Sequence, residues 1–136
     1  MLGNSGGGTA IYYSMCVDER IHAGMPSCFF GKFLTSFFGY PHCSCGFIPD
    51  FFRWFDLPDL AIAIAPRPLL IVAGEKDPLS DIEDVRISFY TKVKAIYAAS
   101  GKPNACQLVI GSEGHRFYAN QAWPIFEKLL SENNLK

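Results

Sequence analysis

Hydrophobic and polar positions follow two clear rhythms along this chain, with a stretch between them that follows neither. The segment Pro68-Leu69-Leu70-Ile71-Val72-Ala73-Gly74 is apolar until its closing glycine, the pattern of a strand buried on both faces of a parallel sheet. Further on, Ile82, Val85, Phe89, Val93, Ile96 and Tyr97 recur at roughly helical spacing, which predicts an amphipathic helix. Gly101 and Pro103 stop it, and Ser80-Asp81-Ile82-Glu83 before it reads as a capping box. Gln107–Ile110 predicts a second short strand, and Phe117–Leu130 a closing helix with Pro124 marking its first turn. At the other end, Thr9–Val17 has a helical pattern and Arg20–Gly24 reads as another strand.

Strands alternating with helices imply an α/β fold around a mostly parallel sheet with right-handed crossovers. Residues 27–66 keep neither rhythm. Eleven of the 20 aromatic residues lie between Phe29 and Phe55, nine of them phenylalanine. This excursion has two readings: Phe29, Phe30, Phe33, Phe37 and Phe38 line a pocket, or they pack against the sheet. Packing is the expectation. No repeat or low-complexity linker divides the chain, so residues 1–136 are read as a single domain.

Composition narrows the function classes. Hydrophobic residues make up 49% and charged residues 18% of the 136, a globular balance. A net charge of −1 leaves no electrostatic footprint for nucleic acid or an anionic membrane. Asp50, Arg53, Asp56 and Asp59 interrupt the apolar stretches below spanning length. Without a secretory leader in the given residues, the expected location is the cytoplasm. Five irregularly spaced cysteines fit reduced thiols better than a disulfide framework. Cys28, His42, Cys43 and Cys45 lack the paired spacings of a zinc motif, so no metal is expected from them.

Three short segments carry the candidate chemistry. Gly3-Asn4-Ser5-Gly6-Gly7 fits the G-x-S-x-G pattern of a nucleophile elbow. There a sharp strand-to-helix turn holds a serine hydroxyl at a helix N-terminus, where free N–H groups favour a developing anion. A flexible glycine loop and a phosphate-binding turn fit the same residues, although no G-K-[ST] follows. Gly74-Glu75-Lys76-Asp77-Pro78 follows the buried strand, and carboxyl ends of parallel strands are where α/β folds place functional groups. Asp77 fits the carboxylate that orients an imidazole, and equally a turn former before Pro78. Gly111-Ser112-Glu113-Gly114-His115 follows the last strand, and its histidine fits a general base. His22, inside a predicted strand, and His42, in the aromatic excursion, fit that role less well. Together Ser5, Asp77 and His115 stand in the chain order of the α/β-hydrolase triad.

On these motifs, and on the stretches GNSGGGT, HCSCGFIPDFFRWFDLPDL, APRPLLIVAGEKDP and EGHRFY, the chain from Gly3 to about Leu130 resembles the C-terminal half of an α/β-hydrolase of the dienelactone hydrolase and acetyl xylan esterase-like type. The resemblance points to a bacterial branch. It implies Ser5 as nucleophile, His115 as general base and then acid, and Asp77 as its orienting carboxylate. Gly6 would supply one oxyanion N–H. It also implies a small-molecule or carbohydrate ester as substrate and no metal or organic cofactor. A non-catalytic remnant or binding module of the same fold is the alternative, and a phosphate-binding α/β domain a third reading. In full-length relatives the earlier strands, and the loop giving the second oxyanion donor, precede the elbow. The expectation is therefore a partial fold with its early strands missing. Residues 27–66 would lie over the site, and the strand around Ile21 would be an unprotected edge through which copies associate.

Overall fold

A computed structural model describes residues 1–42 and 44–135. Four strands form one parallel sheet in chain order: β1 (Leu2–Asn4), β2 (Met25–Ser27), β3 (Leu69–Gly74) and β4 (Cys106–Gly111). The longest pairing is between β3 and β4, with six residues of each in register. Among the described residues five α-helices accompany them: α1 (Gly6–Val17), α2 (Ala61–Ile64), α3 (Ile82–Ser88), α4 (Lys94–Ala99) and α5 (Ala119–Glu132). A π-helical turn, Phe89–Val93, joins α3 to α4 in one helical stretch.

Every residue of β3 is buried because each of its faces is covered. Leu69, Ile71 and Ala73 join the core under α1, α2, α3 and α4, with Ile11, Tyr12, Val85 and Phe89. Leu70 and Val72 point the other way, onto Ala122, Phe126 and Leu129 of α5. Strand periodicity of two thus divides one apolar run between two cores.

The strand expected at Arg20–Gly24 forms later, as Met25–Ser27. Arg67 explains the displacement: its guanidinium donates to the carbonyls of Asp18 and Ile21, so this stretch is held by a side chain and not by a neighbouring strand. Gly24 makes only an isolated bridge to Leu69, and His22 is exposed in the connection. The expected edge near Ile21 is also corrected. β1 lies outside β2 and pairs with it from Leu2 to Asn4, so β1 is the edge strand on that side and β4 the edge on the other.

Two helix boundaries differ from expectation as well. Asp81, not Ser80, caps α3, its carboxylate accepting from the Glu83 and Asp84 N–H groups. Pro124 lies in the second turn of α5, which starts at Ala119. Its missing N–H leaves the ladder one bond short there.

In the aromatic excursion, Phe29, Phe30, Phe33 and Phe37 are buried in the core, whereas Phe38 is half exposed. The packing expectation holds for those four. The segment is pinned to α3 by buried Asp84, which accepts from the Lys32 N–H at 2.6 Å and from the Ser36 and Ser88 hydroxyls. Among the described residues no helix is long and apolar enough to cross a membrane.

Candidate active site

All four strands run the same way, so their carboxyl ends meet along one rim of the sheet. Ser5 follows β1, Cys28 follows β2, the Asp77 turn follows β3 and the His115 loop follows β4.

Ser5 sits at the N-cap of α1 with φ 56° and ψ −122°. A non-glycine residue with positive φ is strained, and it is held here by neighbours. The Ser5 N–H donates to the Ser27 carbonyl at 2.9 Å, and the Ser5 carbonyl accepts from the Thr9 N–H at 3.0 Å. The two glycines flanking Ser5 are not equivalent. A Cβ on Gly3 would meet the Gly7 backbone at 2.5 Å, whereas one on Gly7 would meet nothing within 4 Å. The second steric requirement falls instead on Gly8, whose Cβ would reach the Ser27 carbonyl oxygen at 2.5 Å. Gly8 is what lets α1 lie close against β2.

The turns after β3 and β4 are laced together. The Glu75 N–H donates to the Gly111 carbonyl and the Lys76 N–H to the Glu113 carbonyl, each at 2.8 Å. The approach is so close that a Cβ on Gly74 would lie 2.2 Å from the Gly114 carbonyl oxygen. The Tyr118 hydroxyl donates to that same carbonyl at 2.7 Å. This lacing fixes the distance between the acid and the imidazole.

Asp77 is buried. His115 Nδ1 lies 3.0 Å from its Oδ1 and 2.8 Å from its Oδ2. Oδ1 also accepts from the Leu79 N–H at 2.9 Å. Turn former and imidazole partner, the two readings of Asp77, are therefore both realised by one carboxylate. With Nδ1 so engaged, Nε2 points away from the acid; it is buried and has no hydrogen-bond partner among the described residues.

A cavity of about 280 Å³ opens at this rim, and its lining includes Ser5, Gly6 and His115. Of the three expected site residues, Ser5 and His115 line this cavity and Asp77 holds the imidazole from behind, while no hydrogen bond joins Ser5 to His115 Nε2. Phe29, Phe37 and Pro41 give the cavity an apolar wall, so part of the aromatic excursion lines the pocket as well as filling the core.

Three further residues lining this cavity were weighed from sequence as metal ligands. His42 stacks on Phe37 with ring centroids 4.5 Å apart and contacts the Leu79 carbonyl through Nε2. Cys45 lies beside Gly6, within 3.9 Å of where its Cβ would be. Cys28 has φ 53°, and its thiol donates to the Arg116 carbonyl at 3.4 Å. Burial pushes the Cys28 thiol up to about 11. Cys43 of the four-residue metal set lies outside the described residues.

Residues 37–122 match the profile of the Abhydrolase family. That span includes Asp77 and His115 and starts after Ser5. No curated protein matches the chain. Among solved structures, a carbohydrate esterase family 15 glucuronoyl esterase from Caldicellulosiruptor kristjansonii is similar with a TM-score of 0.75 at 18% identity, covering 99% of this chain and 43% of that one. A protein assigned as an acetyl xylan esterase, from Bacteroides fragilis, gives 0.65 at 20% identity, over 95% and 41%. An esterase from Pyrococcus furiosus gives 0.63 at 16% identity, over 96% and 52%. The chain spans about half or less of the length of each of these proteins. Matched over more than half its residues, and with a parallel sheet flanked by helices as in these enzymes, the chain belongs to the Abhydrolase family of α/β-hydrolases.

Proposed function

We propose that this chain carries the serine, acid and histidine of a carboxylic ester hydrolase acting on small or carbohydrate esters by acyl transfer. The observation that carries the reading is the paired imidazole. Asp77 holds Nδ1 of His115, while Nε2 is buried and unpartnered in a residue lining the same cavity as Ser5.

Ser5 Oγ attacks the ester carbonyl and His115 Nε2 takes its proton. The tetrahedral oxyanion is stabilised by the Gly6 N–H and the N-terminal end of the twelve-residue helix α1. His115 then hands the proton to the departing alkoxide, leaving an acyl group on Ser5. Water deprotonated by the same Nε2 hydrolyses it and restores the serine. Asp77 keeps the proton on Nδ1 throughout, so the lone pair is at Nε2 when Ser5 needs it. The glucuronoyl and acetyl xylan esterases among the similar structures, together with the apolar wall of Phe29, Phe37 and Pro41, support a carbohydrate ester with a short acyl or alkoxy group.

Labelling with a fluorophosphonate probe tests the reading. The folded chain should be labelled, and Ser5→Ala should abolish the label. A folded chain that takes up no probe would instead favour a non-catalytic binding module of this fold.

A further inference from the structure

Cys28 stands where the acyl-transfer mechanism has no use for it. Its sulfur, a carboxylate oxygen of Asp77 and an imidazole nitrogen of His115 lie within 4.8 Å of one another. We propose that these three residues bind a zinc-class divalent cation, and that the ion silences the site by occupying Nδ1 of His115.

The donor set has the right chemistry. Thiolate, imidazole and carboxylate are the three ligand types zinc takes, and a three-ligand site leaves a fourth position for water. A thiolate and a carboxylate together neutralise the charge of a divalent ion. Zinc bonds of about 2.0–2.3 Å put tetrahedral donors roughly 3.3–3.8 Å apart. The sulfur therefore needs to draw in by about 1.5 Å at most from a separation of up to 4.8 Å. The acid and the imidazole, in contact at 2.8 Å, move apart by about 0.5 Å to admit the ion, so the thiol makes the larger movement. Cys28 also lines the cavity, which gives an ion a path from solvent. Its left-handed backbone at φ 53° fixes the direction in which the side chain leaves the strand end.

Binding rearranges two protons. The Cys28 thiol loses its proton to solvent as the sulfur–metal bond forms. The His115 proton moves from Nδ1 to Nε2, the metal takes the Nδ1 lone pair, and the ring stays neutral. Asp77 exchanges its hydrogen bond for a bond to the ion. Nε2 then carries a hydrogen and has no lone pair to accept the Ser5 proton. The ion is thus an inhibitor and plays no part in acyl transfer. This set shares only Cys28 with the cysteine and histidine group considered from sequence, and His42 is engaged with Leu79.

Binding rests on the geometry alone; silencing rests on the acyl-transfer reading. Cadmium, added to the reduced full chain, reports through its sulfur-to-metal ultraviolet absorption, and zinc affinity is measured by calorimetry. The expected result is one equivalent of tight binding, weakened at least about tenfold in Cys28→Ser and in Asp77→Asn. Unchanged affinity in folded Cys28→Ser overturns the proposal, because another thiol would then hold the ion. Nitrogen-15 NMR of the unaltered chain gives an independent readout: zinc should move the His115 proton from Nδ1 to Nε2. A tautomer unchanged at saturating zinc overturns the proposal without any variant. A tautomer that switches in a chain whose Ser5 never takes up the fluorophosphonate upholds the metal site and rejects the esterase reading.

Discussion

At the residue scale, one carboxylate does two jobs. Asp77 shapes its own turn through the Leu79 N–H and orients His115 through Nδ1. Asp77→Asn retains an acceptor for the turn but loses control of the tautomer. Ester hydrolysis and probe labelling should fall by a factor on the order of 10⁴ while the melting temperature changes little. A fall of less than tenfold in a folded variant would remove Asp77 from the mechanism. The turns that carry Ser5, Asp77 and His115 were legible because glycines and a proline mark them, and turn chemistry is written locally. Gly8 was harder to read. Its smallness is required by Ser27, which is distant in sequence, whereas the pattern G-x-S-x-G draws attention to Gly7. Cys28 stood out only as one of a cysteine and histidine group, and it is the parallel register of β2 with β3 that brings it beside Asp77.

At the element scale, two polar anchors, half-buried Arg67 and buried Asp84, decide how the connections lie. Arg67 reaches the carbonyls of Met15, Asp18, Ile21, Ala63 and Ile64, tying the end of α1 and the lead into β2 to the end of α2. Arg67→Ala leaves several of these without their donor and should lower stability by roughly 3 kcal/mol in denaturant unfolding. Arg67→Lys should recover only part of it, because an ammonium has three donors and no fork. Asp84 holds the aromatic excursion to α3. Burial works against its charge, but the Lys32 N–H and the nearby Lys32 ammonium outweigh it and hold the carboxyl below its usual value. The folded form thus binds this proton less readily than the unfolded chain. Its stabilisation is complete above the ordinary aspartate range, about 3.9, and disappears as pH falls through the lowered value. Asp84→Asn should therefore be less stable at neutral pH by about 1–2 kcal/mol and show a shallower loss of stability on acidification. Equal acid slopes for the two proteins would remove Asp84 from the acid response. Neither anchor was legible beforehand: the strand misplaced at Arg20–Gly24 looked apolar enough, and nothing in that stretch announces that its carbonyls belong to a distant arginine.

At the scale of the whole molecule, the order of elements was the most legible feature. β3, α3 and β4 follow from long apolar runs and helical spacing, signals strong enough to survive tertiary context. The short strands β1 and β2 were not, because three residues carry too little periodicity to be seen. That shortness has a physical cost. β1 is one of the two edge strands, and Met1 before it and Leu2 within it are 60% and 46% exposed. Leu34, Phe38, Phe52, Trp54 and Phe55 are also exposed, along the aromatic excursion. A free strand edge and uncovered apolar side chains favour pairing between copies. We predict that this chain self-associates, with a mass above 15.1 kDa that rises with concentration in light scattering; a monodisperse monomer at every concentration would contradict it.

The shortness of β1 also sets an order of events on heating. Ser5 is placed by three paired residues of β1 and β2, whereas Asp77 and His115 hang from the six-residue ladder of β3 with β4. Segments held by few paired residues open locally at lower free energy than long ladders. The backbone amides of residues 2–5 should exchange hydrogen for deuterium well before those of β3 and β4. Reactivity toward the probe should fade at temperatures where the β3–β4 ladder is still intact. The working part of such a molecule fails before its framework does.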